Sequence, residues 1–394
     1  MTQLRFCFLW FLVGGMILGG CTAPAQTRLA SANVVASLSG PADDAFARAE
    51  TPIEFVFPQD HGPHPAYRTE WWYYTGNLTD KASNSYGYQL TFFRSALTPD
   101  LPERASDLAT NQIYMAHFAV TDGAANRHQS VERFSRGAGG LAGATGEPSY
   151  AVWLEDWSVE QSAPGVSQLH ASIEGQDEEG QDGVMALDLT LRESRPPVLH
   201  GDRGLSQKGP EAGNASYYYS LVQIETTGNV IIQGKTTEVS GLSWMDHEFG
   251  TSALSANATG WDWFSIQLES GAVLMFAQVR TNDGGVIPEF TGTYVAADGA
   301  QQRITAGDLT LTPLDQWTSP RTEINYPSGW RIDLPSLGVK LTVEPLIEDQ
   351  EMDVSFVYWE GAATIAGTIE GETVQGVGYV ELTGYGQQAG QYQR

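Results

Sequence analysis

Short runs in which apolar and polar residues alternate, separated by Gly, Asn, Asp and Pro, limit this chain to few folds. From about Thr51 onward almost no segment has the 3.6-residue period of an amphipathic helix. Strands of this length and spacing are typical of sandwiches and barrels, so we predict an all-β fold. Residues 176–183 and 200–213 are charged or rich in glycine and are predicted loops. The predicted strands are 86–94, 113–120, 151–157, 184–191, 217–225, 230–236, 261–268, 273–279 and 377–382.

An internal repeat predicts two related halves. Segment 71–78 (WWYYTGNL) aligns with 261–268 (WDWFSIQL), and 87–92 (GYQLTF) aligns with 271–276 (GAVLMF). An Asp-His pair precedes each hairpin, Asp60-His61 before the first and Asp246-His247 before the second. The repeat favours two β domains, which we place at 51–237 and 238–386. Chance similarity between two aromatic strands is the alternative.

The N-terminus has the pattern of a lipoprotein signal peptide. The apolar run 6–18 follows Arg5 and is too short to span a bilayer, as is usual for the core of a signal peptide. It ends in two glycines and Cys21, so we predict a signal peptide over 1–20 and lipidation of Cys21; an ordinary signal with an incidental cysteine is the alternative. Residues 21–50 are small and polar and are predicted to form a flexible tether. Thr22, in place of Asp, favours an outer-membrane lipoprotein that faces the periplasm.

Composition excludes several classes of function. The chain has 21 Lys and Arg against 47 Asp and Glu, a net charge of −26 that repels phosphate backbones, so we predict no nucleic-acid partner. The two cysteines are Cys7, in the predicted signal, and Cys21, so no disulfide is expected in the body. Eleven Trp, 16 Tyr and 15 Phe suit large β surfaces and apolar cavities, although a packed core explains most of them. No sequence motif for a nucleotide, a serine nucleophile or zinc occurs, and we predict no cofactor.

The first candidate for chemistry is Glu70, which follows the proline-rich lead-in 60–65. On a strand, Glu70, Trp72 and Tyr74 share one face, and Trp71 shares the other with residue 73. A carboxylate among indoles would have a raised pKa and could donate a proton. A structural ion pair with an arginine, residue 68 or 94, explains the same residue equally well.

The second candidate is the segment 244–250 (WMDHEFG). On a strand, Trp244, Asp246 and Glu248 point one way, and His247 and Phe249 point the other. Paired carboxylates beside tryptophan can divide acid and base roles between them, and His247 could shuttle protons.

Two further patterns carry weaker signals. His247 could hold a metal together with His61 or His64, but no ligand spacing is diagnostic and we predict no metal site. Segments 358–361 and 376–385 contain glycines that allow sharp bends in strands, which favours a closing barrel strand over a catalytic segment.

These stretches together resemble the AttH/CrtC-like family, carotenoid 1,2-hydratase-like proteins that are often described as predicted secreted hydrolases. The resemblance implies two lipocalin-like antiparallel β-barrels packed together, and substrates that are apolar. Carotenoid hydratases protonate an isolated double bond and add water, and related fungal proteins hydrate or cyclise terpenoid and polyketide chains. The matching residues are 60–65 (DHGPHP), 70–78 (EWWYYTGNL), 89–94 (QLTFFR), 244–250 (WMDHEFG), 260–263 (GWDW) and 378–385 (GYVELTGY).

One departure from the hydratase pattern bears on activity. The Asp-His motif of the hydratases matches Asp246-His247, but their Tyr-x-Asp falls on 276–278 (FAQ), where Gln278 cannot donate a proton as an acid does. The resemblance therefore implies carotenoid hydration only if Asp262 or Glu248 supplies the acid.

The combined prediction is an envelope lipoprotein that binds an extended apolar small molecule, isoprenoid- or lipid-like. As an enzyme it would be a hydratase- or hydrolase-like lyase, with Glu70, Asp246, His247, Glu248 and Asp262 as an acid/base set at the barrel junction. As the alternative it would be a non-catalytic carrier associated with the permease of an ABC-type exporter. The predicted ligand-binding residues are Trp71, Trp72, Tyr74, Trp244, Phe249, Trp261, Trp263 and Gln278.

Overall fold

The structure, a computed structural model, describes residues 45–100, 106, 108–176, 182–251, 254–255, 257–289 and 292–386. The predicted signal peptide, Cys21 and most of the predicted tether lie outside these residues. The last part of that tether is packed against the body: Phe46 and Ala49 are buried, and Arg48 donates a hydrogen bond to the carbonyl of Ala212 (3.1 Å). Within the described ranges, no helix is long and apolar enough to cross a membrane.

Thirteen strands of the described chain form a first antiparallel sheet. Its order is β4-β3-β2-β1-β13-β12-β9-β8-β7-β6-β5, and β10 and β11 both pair with β12. The strands are β1 (Thr69–Asp80), β2 (Ser85–Ala96), β3 (Gln112–Asp122), β4 (Arg127–Arg136), β5 (Ala142–Thr145), β6 (Ala151–Leu154), β7 (Trp157–Ala163), β8 (Val166–Gln176), β9 (Asp182–Glu193), β10 (Val198–Leu199), β11 (Leu205–Gln207), β12 (Ala215–Ile232) and β13 (Lys235–Gly250).

Ten strands form a second antiparallel sheet in the described part of the chain. Its order is β17-β16-β15-β14-β23-β22-β20-β19-β18, with β21 paired to β22; two short 3-10 turns, Gln59–His61 and Pro335–Leu337, complete the elements. The strands are β14 (Ala258–Leu268), β15 (Val273–Thr281), β16 (Gly292–Val295), β17 (Gln301–Ile304), β18 (Thr310–Thr318), β19 (Asn325–Leu334), β20 (Val339–Pro345), β21 (Glu351–Met352), β22 (Tyr358–Ile369) and β23 (Glu372–Leu382).

Two of the nine predicted strands are wrong because they run across tight turns. The segment 151–157 divides into β6 and β7, with Glu155 at a φ of 57° between them. The segment 230–236 contains the turn of a hairpin, where Gln233 and Gly234 have φ of 51° and 74°; two successive positive φ values are what a two-residue hairpin turn requires. The predicted loop 200–213 contains the short strand β11.

Each sheet curls around an apolar core of its own. In the first, β6 lies against β2, β3 and β4, so strands from opposite ends of the sheet meet around buried aromatics such as Trp72, Phe118 and Trp157. In the second, Phe264 stacks on Phe276 and meets Trp330 edge to face within the core. Burial of such rings contributes about 1.5–3 kcal/mol each. The predicted all-β fold of two barrel-like antiparallel sheets is confirmed.

The two sheets are copies of one topology, as the hairpin repeat indicates. The β1–β2 hairpin pairs with β13, the last strand of its sheet, and the β14–β15 hairpin pairs with β23, the last strand of the other. Even the contacts between sheets are duplicated: Asn77 donates to the carbonyl of Gly378 (3.0 Å), and Gln267, its counterpart in the repeat, donates to the carbonyl of Ser243 (3.0 Å). The two halves therefore face each other across a pseudo-twofold axis.

Two details of the predicted organisation differ in the structure. The strand β13 pairs with β1 and β12 along its length, so the sheets divide between Gly250 and Ala258, and the predicted boundary at 237/238 lies inside β13. The two Asp-His pairs are not equivalent, because Asp60-His61 lies in a 3-10 turn and Asp246-His247 lies on β13.

Candidate active site

A cavity of about 280 Å³ lies between the sheets and extends over the outer face of the first one. Apolar and aromatic side chains form most of its wall, and several acids face it. The residues that carry the argument below are Trp71, Tyr73, Phe93, Met115, Phe134, Lys208, Tyr218, Asp246, Glu248, Trp261, Trp263, Glu360 and Glu381.

Asp246 is the best-supported acid of the cavity. It lies on β13, is 4% exposed, and accepts hydrogen bonds from Tyr218 (2.5 Å), Trp244 (2.6 Å) and Ser220. Burial raises the pKa of Asp246 to about 7 in spite of these three donors, with a smaller contribution from the charge of Glu248. A carboxyl with this pKa exchanges its proton near neutral pH, as general acid/base catalysis requires.

Glu248, two residues further along the same face, forms an ion pair. Its Oε1 lies 2.7 Å from Nζ of Lys208, and both side chains are 6% exposed. Lys208 lies 5.0 Å from the ring centre of Tyr218. Among the described residues, Glu248 therefore has a partner cation, whereas the neighbouring Asp246 has none.

The second sheet contributes two more acids, Glu360 on β22 and Glu381 on β23, which are paired in register. Burial, together with the nearby Asp246 and Glu248, raises the pKa of Glu381 to about 7, although Trp261 donates to it (3.1 Å). Burial and the neighbouring Glu381 raise the pKa of Glu360 well above its usual range. Acids from both halves of the chain thus meet in one cavity.

An apolar track leads from these acids to the surface. Tyr218, Glu248, Trp71, Phe93, Met115 and Phe134 are successive cross-strand partners from β12 to β4, and all line the cavity. The whole row spans five strand spacings, about 24 Å, of which the apolar part from Trp71 to Phe134 spans three, about 14 Å. Phe134, at the outer end, is 52% exposed. The track is long enough for an extended hydrocarbon chain.

On the opposite face of β1 and β13, Glu70 lies in a structural network. It is 1% exposed, and its carboxylate accepts hydrogen bonds from Arg94 Nε (2.8 Å) and the backbone N–H of His64 (2.9 Å), and lies 2.8 Å from His247 Nε2. Burial alone would raise its pKa, but His247, His64 and Arg94 together hold the pKa of Glu70 well below its usual range. The predicted raised pKa is wrong, and the alternative of an ion pair with Arg94 is confirmed.

His247 belongs to the same network. Burial lowers the pKa of His247 despite Glu70. Its Nε2 lies 2.8 Å from Glu70, and its Nδ1 lies 2.8 Å from the hydroxyl of Tyr219. Ligand atoms of His64, Glu70 and His247 lie within 4.8 Å of one another, which is a possible metal-binding set. We assign no metal to it, because hydrogen bonds already join these atoms and the Arg94 guanidinium lies beside them.

The structure divides the predicted site residues by strand face. Five of them meet at or beside the cavity: Trp71, Asp246, Glu248, Trp261 and Trp263, with Trp244 hydrogen-bonded to Asp246. Glu70 borders the cavity, but its carboxylate points away from it. The others lie on the inner faces of the sheets: Trp72, Tyr74, His247 and Phe249 in the first, and Asp262 and Gln278 in the second.

Asp262 and Gln278 form a polar cluster away from the cavity. Gln278 donates to Asp262 Oδ2 (2.7 Å), Tyr385 donates to Oδ1 (2.9 Å), and Arg280 Nε lies 3.2 Å from Oδ1. Asp262 is on the same side of β14 as the core residue Phe264, so the period of the strand turns it away from the other acids. It therefore does not belong to one acid/base set with Asp246.

Sequence reasoning missed the acids of the last two strands. Glu360 and Glu381 were expected to belong to a purely structural closing strand; β22 and β23 are indeed the strands next to the hairpin, but these two side chains face the cavity. The available signal was an isolated acid in an aromatic or apolar run, YWEG and YVEL. Lys208 and Tyr218 were missed because nothing in their local pattern distinguishes them from loop and core residues.

These features define a class: an all-β protein of two duplicated, curled antiparallel sheets with an aromatic-walled, acid-bearing cavity between them. The chain belongs to the AttH-like family, whose model matches residues 48–385. A solved structure of an AttH protein from Nitrosomonas europaea is 34% identical in sequence with a TM-score of 0.74, and the match covers 86% of this chain and 100% of that one.

More distant relatives include named enzymes. The structure of kievitone hydratase from Nectria haematococca has a TM-score of 0.62 at 15% identity, covering 86% of this chain and 96% of that one, which shows the fold alone. In sequence, kievitone hydratase of Fusarium solani subsp. phaseoli is 25% identical over 228 residues, and dehydratase asqC of Emericella nidulans is 24% identical over 208. These matches cover 55% and 50% of this chain, and only 63% and 58% of the two relatives.

Proposed function

We propose that this protein is a hydro-lyase that adds water to, or removes it from, an extended apolar small molecule of isoprenoid or lipid type. The observation that carries the proposal is Asp246, a buried carboxyl with a pKa of about 7 that faces an aromatic-walled cavity. Relatives named as a hydratase and a dehydratase, at 24–25% identity, support the same class of reaction.

The proposed chemistry uses two carboxyl groups that face each other across the pseudo-twofold axis. In hydration, protonated Asp246 donates its proton to one carbon of a double bond, and ionised Glu381 removes a proton from the water that bonds to the other carbon. In dehydration the two roles are reversed. Two buried acids with pKa values near 7 are suited to this division, because ionisation of one disfavours ionisation of the other.

The track from Trp71 to Phe134 supports the apolar part of the proposal. Apart from the indole N–H of Trp71, its rings and thioether offer only apolar surface, so binding there depends mainly on apolar area. The chain of the ligand would lie along the track with its reacting carbons beside Asp246.

The test is mass spectrometry of small molecules released from the purified protein, before and after incubation in water enriched in oxygen-18. We expect the released ligand to gain one oxygen-18 atom with the wild-type protein. The Asp246→Asn variant should carry as much ligand but incorporate no oxygen-18, because the amide cannot donate the proton. Glu372→Gln, an exposed acid at the far end of β23, is the matched control and should behave as the wild type.

A non-catalytic carrier is the alternative, and the same experiment separates the two. A bound ligand that never gains oxygen-18 with the wild-type protein would refute the enzyme proposal and favour the carrier. An absence of any bound apolar molecule would count against both. Attachment to the outer membrane through Cys21 and association with an ABC-type permease stay predictions, and a mass shift of the N-terminal peptide by acyl groups tests the first of these.

A further inference from the structure

The repeat relates the surroundings of the two acids residue by residue. Asp246 is the register partner of Tyr73 on β1, and Glu381 is the partner of Trp263, which aligns with Tyr73 in the repeat. The same register continues on the strands beside them. The donors around Asp246, namely Tyr218, Ser220 and Trp244, therefore correspond to Tyr358, Glu360 and Tyr379 around Glu381.

The two copies differ in how their polar atoms are satisfied. Around Asp246, all three equivalent donors bond to the carboxylate. Around Glu381, both carboxyl oxygens of Glu360 and the hydroxyls of Tyr379 and Tyr73 make no hydrogen bond of normal geometry within the described ranges. The phenols of Tyr73 and Tyr358 nevertheless lie near enough to Glu360 to act on its pKa. Glu360 and Tyr379 are each 1% exposed, and Tyr73 is 7% exposed. Four buried oxygens in one place without a hydrogen bond of normal geometry are unusual in a folded protein.

A buried polar group without a partner is unfavourable, so a partner from outside the chain is expected there. Glu360 and Tyr73 both line the cavity, so a molecule bound there lies beside these two side chains. We propose that Glu360 and Tyr73 form the binding site for a neutral oxygen of the ligand, a hydroxyl or a carbonyl, while its hydrocarbon lies along the track that ends at Phe134. The proposal rests on the proposed function, since it places the polar end of the same ligand.

The charge of the site selects between kinds of oxygen. Burial and the neighbouring Glu381 keep Glu360 protonated, so its O–H and the phenol of Tyr73 both donate to an oxygen with lone pairs. An ionised ligand carboxylate would place another negative group beside Glu381 and the Glu248 carboxylate, where like charges repel. The predicted ligand class is therefore a neutral alcohol, ketone or aldehyde with a long apolar chain.

Three isoprenoid probes with equal chain length test this at pH 7: geraniol, geranate and the hydrocarbon myrcene. Binding is followed by quenching of the fluorescence of Trp71, Trp261 and Trp263, which line the cavity. We expect geraniol to bind about tenfold more tightly than myrcene, the value of one good hydrogen bond in a desolvated site. Geranate should bind no better than myrcene.

Variants of Glu360 and Tyr73 test whether these two residues cause the tighter binding of geraniol. Glu360→Leu and Tyr73→Phe should each reduce the affinity for geraniol towards that for myrcene, leaving myrcene itself unchanged, whereas Glu360→Gln keeps a neutral donor and most of the affinity. Glu360→Leu should also raise the Tm of the ligand-free protein, because it removes an unsatisfied buried group; a carboxyl with a structural role would lower it. Glu372→Leu on the exposed end of β23 is the control.

Unchanged affinity for geraniol in both Glu360→Leu and Tyr73→Phe would overturn this inference, while the proposed function would stand because the apolar probes still bind. If geraniol binds no more tightly than myrcene to the wild-type protein, the inference is also wrong. Failure of all three probes to bind would overturn the inference and the apolar-ligand proposal together.

Discussion

Replacement of Arg94 by methionine should destabilise the protein strongly. Arg94 is 1% exposed and donates to Glu70 (2.8 Å), Gln112 (2.8 Å) and the carbonyls of His64 (3.0 Å) and Tyr67 (2.8 Å). Methionine replaces the aliphatic stem of arginine but has no charge and no donor. The variant leaves Glu70 as a buried carboxylate without its cation, and removal of one partner of a buried ion pair costs about 3–5 kcal/mol of unfolding free energy.

The double variant Glu70→Gln/Arg94→Met tests the reason for that loss. With both charges absent no carboxylate is left uncompensated, so the double variant should be more stable than Arg94→Met alone, which independent effects would not produce. Urea unfolding followed by tryptophan fluorescence and circular dichroism measures all the free energies. The reasoning is refuted if Arg94→Met lies within about 1 kcal/mol of the wild type or if the two losses add.

The same pair predicts a dependence on pH. Because the folded pKa of Glu70 lies below its unfolded value, the contribution of the pair is fully present above the unfolded pKa, about 4, and is lost as the pH falls further. The double variant lacks that carboxyl and should lose less stability between pH 5 and pH 3 than the wild type does. Equal losses in the two proteins would assign the acid sensitivity to other groups.

Three further predictions concern the strands that carry the cavity. The folded pKa of Asp246 is raised to about 7, so between about pH 4 and pH 7 the folded state holds a proton that the unfolded chain has released. The free energy of unfolding should therefore fall as the pH rises through this window, by up to about 4 kcal/mol. Asp246→Asn should flatten the dependence of Tm on pH there, and an unchanged slope would contradict this. Lys208→Met removes the cation from buried Glu248 and should cost about 3 kcal/mol in urea unfolding, with a loss below about 1 kcal/mol as the contrary result. In Gly241→Ala the new Cβ would lie 2.1 Å from a backbone oxygen of β1, which should cost about 1–3 kcal/mol, whereas Gly307→Ala has open space and should be neutral; similar Tm values for the two variants would refute the reasoning.

The alternation of apolar and polar residues was sufficient to predict which face of a strand each side chain occupies, because that depends only on neighbouring residues in the chain. The alternation along β1 placed Trp71 and Tyr73 on one face and Glu70 and Trp72 on the other, and both assignments are correct. The alternation pattern missed the hairpin turn at 233–234, because the only turn signal in that apolar stretch is a single glycine. Hydrophobic pattern alone does not report a positive φ.

The prediction of a raised pKa for Glu70 was wrong for a different reason. An acid beside tryptophans predicts desolvation, and Glu70 is indeed buried. Its pKa is nevertheless lowered, because Arg94 from β2, His64 from the lead-in and His247 from β13 surround the carboxylate. Asp262 was grouped with the wrong acids because face and sheet, rather than nearness in the chain, determine which carboxylates meet.

The sequence by itself determined the class of fold, the duplication and the direction of each side chain on its strand, since alternation with a period of two is a local consequence of strand geometry. It also singled out Asp246 and Glu248 as acids on one face. Only the tertiary structure decided that Glu360 and Glu381 face the same cavity, and that Glu70 and His247 lie on the other side of the sheet. It alone also showed that four buried oxygens around Glu381 make no hydrogen bond of normal geometry in the part of the chain that the structure describes. Those outcomes depend on which strands pair and how two sheets pack, and such contacts join residues more than a hundred positions apart, beyond the range of any local pattern.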